Sequence, residues 1–180
     1  MTTVTYNSEI YTIARCLKEL IIHDQIDNAL NNIVDWLAES LNIDRCYISE
    51  ASPEANQSRL TSIYAGSNGA IGNSVKNIQD FIFNTSSFPE IKSLLKNNQP
   101  FKVSISDDIG PRLYELLEVS DLKSLLLIPL HSGNQYWGFI GFGDTINIRS
   151  WRRSEPDLKS LAMAVGMAIE RNNNKITVPE

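Results

Sequence analysis

The segment from Ser124 to Arg171 constrains the fold more than any other part of the chain. It reads SLLLIPLHSGNQYWGFIGFGD, then IRSW, then a long run of apolar residues at helical spacing. A buried strand, a tight turn, a glycine-punctuated strand and a closing helix therefore follow one another in an order that few folds use. Leu125 to Ile128 is an unbroken apolar run, as a central strand covered on both faces requires, and Pro129 must fall at a bulge or at the strand's end because it has no N–H to give a ladder. Ser132 to Gln135, with Gly133 and Asn134, predicts a hairpin turn, and Tyr136 to Gly143 returns antiparallel. Along that strand Phe139, Gly141 and Gly143 share one face while Ile140 and Phe142 share the other. The two glycines leave their face nearly bare, with room for a neighbouring backbone, a closely packed helix or a small molecule. Ser154, with Asp157 three residues on, caps the closing helix, whose apolar stripe is Leu158, Leu161, Ala162, Val165, Ala168 and Ile169. After Arg171 the chain reads NNNKITVPE, a polar tail or linker over 172–180.

Two helices are predicted ahead of the sheet. Ile10, Ile13, Ala14, Leu17 and Ile21 draw one stripe on an amphipathic helix over 8–22, with Ser8 as its cap. Asp24 is placed to cap a second helix, in which Ile26, Ala29, Leu30, Ile33, Leu37 and Leu41 fall on one side. Strands are predicted over Arg45 to Ala51 and Arg59 to Ala65, and the turn-rich SPEANQ between them makes the pair a hairpin. From Gly66 to Gln99 the chain is irregular apart from a short helix over Pro89 to Lys96. Irregular segments on a rigid scaffold are where binding chemistry collects, and the plainer alternative is a surface excursion with no task. Phe101 to Ser104 reads as a short strand and Pro111 to Glu118 as a short helix.

Of the 180 residues, 42% are hydrophobic and 21% charged, enough for one globular domain with a real core. A formal charge of -5 supplies no basic face, which argues against nucleic acid as a partner. Charged residues interrupt the first twenty positions, and no later run approaches the roughly 20 apolar residues of a membrane span, so no membrane partner and a cytoplasmic location are expected, unless the chain was cut from an anchored parent. Two cysteines, Cys16 and Cys46, form neither a disulfide framework nor a zinc site. The two histidines, His23 and His131, read as solvated loop residues rather than metal or haem ligands. No nucleophile elbow, Walker loop or HExxH helix is present, so no catalytic residue, metal site or cofactor is assigned.

The order of two leading helices, NIDRCYISE, a weak middle, LKSLLLIPLHSGNQYWGFIGFGD, RSW and LKSLAMAVGMAIER resembles a GAF domain of bacterial, and especially cyanobacterial, sensor proteins. The resemblance runs from about Glu9 to Arg171 and implies a single domain over 1–171, its core over 24–171. It implies an α+β, PAS-related fold: a central antiparallel sheet of five to six strands, terminal helices packed on one face and a small-molecule pocket on the other. It further implies a homodimer through the N- and C-terminal helices and a downstream kinase or cyclase output domain.

Subclasses of the family can be tested by position. Bilin-binding relatives carry a cysteine in the region that here reads DDIGPRLYELLEVSDLK, and a histidine where this chain has Gly143; neither is present. Relatives that reduce methionine sulfoxide need cysteines around one pocket, whereas Cys16 is assigned to a helix and Cys46 to a strand. The NKIT at Asn174 lies outside the domain, so the cyclic-nucleotide pattern is not met. A non-catalytic sensory or regulatory domain is therefore expected, with a dimerisation module lacking any ligand as the alternative, and a bilin photoreceptor or thiol reductase further behind. Ligand-binding candidates are Tyr64, Phe81, Phe88, Ile91, Tyr114, Phe139, Gly141 and Gly143, and each of the aromatics among them reads equally well as core.

Overall fold

The computed structural model describes residues 2–23, 25–51, 63–66 and 88–176. The elements in order are α1 (Thr2–Ile22), α2 (Ile26–Leu41), β1 (Arg45–Glu50), β2 (Ile63–Gly66), α3 (Pro89–Lys96), β3 (Phe101–Ser104), α4 (Pro111–Val119), β4 (Ser124–Ser132), β5 (Gln135–Asp144) and α5 (Glu155–Ile176). The five strands form one antiparallel sheet in the order β2-β1-β5-β4-β3. The α+β arrangement with five strands is the one expected, and β1 and β2 are the predicted hairpin.

Alternation along the strands sorts side chains into two cores. Cys46, Ile48, Leu126, Ile128, Ile140 and Phe142 face α1, α2 and α5, forming the larger core with Ile33, Leu37, Leu158 and Val165. Tyr47, Leu125, Leu127 and Phe139 point the other way and pack with Ile91 and Leu95 of α3 and Leu116 and Leu117 of α4. β4 is thus covered on both sides, which explains its continuous apolar run. Each large aliphatic side chain buried here contributes about 1.5–3 kcal/mol, so the two layers together outweigh any surface term.

Pro129 pairs with Phe139, beyond the last β3 partner at Leu127, where a missing N–H interrupts the fewest ladder bonds. The irregularity follows it, between Leu130 and His131: Leu130 opposes Gly138 while His131 opposes Tyr136, so Trp137 is the extra residue of a bulge. Past that bulge the alternation inverts. Trp137 packs on the helix-side core and Tyr136 on the far one. The hairpin turn is made by Gly133, at φ 58, and Asn134, with glycine in the first central position as a II′-type turn requires.

Helix boundaries differ most from expectation at α1 and α5. α1 begins at Thr2, ahead of Ser8, and α5 continues to Ile176 through the polar residues after Arg171. Arg171 ties α5 to α1, its guanidinium donating to the backbone oxygen of Leu20 at 2.5 Å. The start of α2 has Gln25 at its N-cap with no side-chain bond; Asp24 lies outside the described residues, as do Arg59 to Ser62 of the predicted second strand. Ser154 does occupy the N-cap of α5, its carbonyl oxygen accepting from Leu158 N–H at 3.0 Å. Close seating of α5 on the sheet depends on Gly166, where a Cβ would fall on the carbonyl oxygen of His131.

No helix among the described residues is long and apolar enough to cross a membrane.

Candidate functional site

The far face of the sheet, away from the terminal helices, is where the candidate residues must meet if they meet at all. Register fixes its composition. Arg45, Tyr47 and Ser49 of β1 lie opposite Gly143, Gly141 and Phe139 of β5. α3 and α4 cover the face from the β3 side, through Phe88, Ile91 and Leu95, and through Leu116 and Leu117.

Five candidates come together here. Phe139 is buried and meets Tyr47 edge to face, with ring centroids 6.2 Å apart. Phe88 and Ile91 are buried in the same cluster, and the Arg112 guanidinium stands 5.0 Å over the Phe88 ring. Gly141 sits beneath Tyr47: a Cβ built there would lie 2.5 Å from Cε2 and 2.6 Å from the hydroxyl oxygen of that side chain. At Gly143 the space goes to Leu122 and to the stem of Arg45. The bareness of the glycine face is thus filled by side chains of the protein itself, not by a closely packed helix.

The remaining candidates stand apart. Tyr114 is exposed on α4. The backbone of Tyr64 pairs with Ile48, a helix-side register position, rather than with Tyr47. Phe81 lies outside the described residues. Arg45, Tyr47 and Ser49 were not among the candidates, although period-two alternation through RCYIS already sets the three on one face. Burial pushes the Tyr47 phenol far above its ordinary range despite the neighbouring Arg45 charge, so it remains a neutral hydroxyl.

Neither sulfur belongs to this face. Cys16 and Cys46 are both fully buried in the helix-side core. The expectation that helix and strand hold them apart is not met; they share one cluster, and the Cys16 sulfur adds to the upward push on Cys46. Burial is the main cause for both, and it raises the Cys16 thiol to about 12. Thiolate, the reactive form, is therefore scarce at neutral pH.

The histidines are also better placed than loop residues would be. His23 Nε2 lies 2.7 Å from the Glu19 carboxylate. His131 is half-buried at the end of β4, its ring edge to face with Tyr136 at 5.7 Å. A separate cavity of about 240 Å³ opens beside it, between the end of β4 and α5, lined by Ile128, Pro129, Ala162, Met163 and Met167. Among the described residues no group of three or more His, Cys, Asp or Glu side chains is arranged to hold a metal ion.

Below the sheet, Asp144 organises the link from β5 to α5. Its carboxylate accepts from the backbone N–H groups of Ile146 (2.8 Å) and Asn147 (2.7 Å) and from Arg149 Nε. Burial alone would raise its pKa, but these donors outweigh that effect and hold it below the usual carboxylate value. Arg149 also reaches the backbone oxygen of Asn42, and Trp151 packs against Phe142, so the RSW segment anchors the start of the last helix.

Comparison with known proteins agrees with this geometry. A family model described as GAF domain matches residues 25–169. The chain is 24% identical over 161 residues to the methanogenesis regulatory histidine kinase FilI of Methanothrix harundinacea (strain 6Ac), covering 87% of this chain and 18% of that protein. It thus spans less than a fifth of the curated relative's length. Among solved structures, the phycoerythrobilin-bound GAF domain of a cyanobacterial phytochrome superposes with a TM-score of 0.74 at 12% identity, covering 93% of this chain and 97% of the other. A domain assigned to a two-component sensor histidine kinase protein of Sinorhizobium meliloti 1021 gives 0.61 at 17%, covering 86% and 96%. At these identities the superpositions speak to fold alone.

Proposed function

The chain belongs to the GAF domain family, and from that premise we propose that it is a non-catalytic sensory domain, binding a small molecule on the far face of its sheet and signalling through its terminal helices in a homodimer. Its setting would be a cytoplasmic signal-transduction protein such as a sensor histidine kinase, in keeping with the similarity to a regulatory kinase of which it matches a small part.

The observation that carries the reading is the unequal finish of the two helical surfaces. α1 buries Cys16 and Leu20 against the domain but leaves Ile10, Leu17 and Ile21 on its outer side, Ile21 at 74% exposure, with Tyr11 beside them at 71%. Ile10, Ala14, Leu17 and Ile21 follow a four-three-four spacing, the seam of a helix that pairs with another helix. A second copy of the same stripe satisfies that seam. Ligand binding rests on the far face, where aromatic and aliphatic side chains gather under α3 and α4. The thiols lie on the opposite side of the sheet, which disfavours covalent bilin attachment and thiol catalysis there.

A ligand acts by preferring one packing of the far face, and it shifts that equilibrium by no more than its differential affinity. One observation favours the reading without a ligand: Tyr47 already fills the space over Gly141. Native mass spectrometry of freshly purified protein separates the two. A dimer carrying a retained small molecule is expected; a clean apo dimer moves the reading to a dimerisation module, and a bare monomer removes both.

A further inference from the structure

Arg45 begins β1 on the far face and is only 6% exposed. A guanidinium keeps its proton at any working pH, so this face contains a permanent cation. Such a charge is costly to bury unless something compensates it. The compensation visible is partial. One terminal nitrogen donates to the backbone oxygen of Ser120, the C-cap of α4, where the negative end of the helix offers about half a charge. Nε has no hydrogen-bond partner among the described residues. No carboxylate among them pairs with Arg45, and the nearest acid along β5, Asp144, is committed to Arg149.

A second buried polar atom on the same face of the same strand is also unmatched. Ser49 is 0% exposed and its hydroxyl has no partner among the described residues. Four residues of strand put it about 13 Å from Arg45 at roughly 3.3 Å per residue. Between the two along β1 stands the Tyr47 ring, and Phe139, opposite Ser49 on β5, meets it edge to face.

We propose that the far face is built for an organic anion. Its carboxylate or other oxyanion is received at Arg45, its apolar body lies along Tyr47 and Phe139, and a polar group reaches the Ser49 hydroxyl. Binding supplies the missing counter-charge, and a charge-assisted bond to a planar guanidinium is directional as well as strong. This names the ligand class for the small-molecule reading above and rests on it.

The test uses two fluorescent probes that share one hydrocarbon skeleton, 8-anilinonaphthalene-1-sulfonate and the uncharged N-phenyl-1-naphthylamine, titrated into the intact chain. The sulfonate is expected to bind the wild type more tightly. Arg45→Gln weakens it by roughly ten- to hundredfold, the range of a bond to a charged group, and leaves the neutral probe unchanged. Arg45→Lys, which keeps the charge but loses the planar fork, keeps the proposal testable if the glutamine variant does not survive, and weakens the sulfonate by a smaller factor while leaving the neutral probe unchanged. Exposed Arg152→Gln has no effect on either. Equal affinity of the two probes for the wild type overturns the anion assignment while leaving a pocket in place; failure of both to bind overturns the pocket reading itself.

Discussion

Gly141 and Tyr47 form a single packing unit, with the ring lying where the glycine has no side chain. Tyr47 is fully buried and cannot swing away, so Gly141→Ala must move strand against strand. A loss of about 1–3 kcal/mol is expected, the usual cost of overfilling a packed interior, measured by urea unfolding. Combined with Tyr47→Leu in a double-mutant cycle, the two changes couple by roughly 0.5–3 kcal/mol; strictly additive losses would mean the ring is not what occupies the space. The glycines on one face were legible from alternation alone. What fills the space was not, because Tyr47 reaches it from a strand more than ninety positions away, and only register brings the two together.

Among the elements, those bounded by local punctuation were read to the residue: Pro89 opens α3, Phe101 to Ser104 is β3, and Pro111 opens α4. α1 and α5 overran their predicted limits because Ser8 and the polar residues after Arg171 do not by themselves end a helix, and no local pattern fixes where one stops. The bulge at Trp137 was invisible for the same reason, since counting by twos along YWGF assigns Trp137 to the wrong side. α1 is held by a compact polar latch in which the buried Glu19 carboxylate accepts from Asn32 of α2 at 2.5 Å and pairs with His23. Arg15 stacks 3.6 Å over the Trp36 ring alongside. Glu19→Ala is expected to cost the docking of α1 about 1–3 kcal/mol, by leaving the Asn32 amide unpaired. Hydrogen exchange should then show lost protection over residues 12–20 with β4 and β5 unchanged; a uniform loss across the sheet would mean that α1 does not open separately.

Taken whole, the molecule draws a pH-dependent part of its stability from Asp144. A carboxyl whose folded pKa is depressed contributes stability that is present above its unfolded value near 4 and is lost as pH falls through the folded value. Asp144→Asn is therefore expected to be about 2 kcal/mol less stable at pH 7, with the gap closing below pH of about 4, as read from urea midpoints. A gap that persists into acid would assign the loss to geometry rather than charge. The general plan of one sheet between two layers was recognisable from the strand-turn-strand-helix segment because that order is local. The far-face site was much less so, since Arg45, Phe88, Leu122 and Phe139 belong to four separate stretches and their meeting depends on folding.

One close approach sets the kind of movement the last helix can make. With Gly166 resting on the His131 carbonyl, a piston stroke of one turn would bring Ala162 or Glu170 into a slot that admits no side chain. The helix is keyed to its hairpin like a shaft with a notch. Any signal leaving through α5 is then a tilt or roll shared with the hairpin beneath it, and not a slide along the axis.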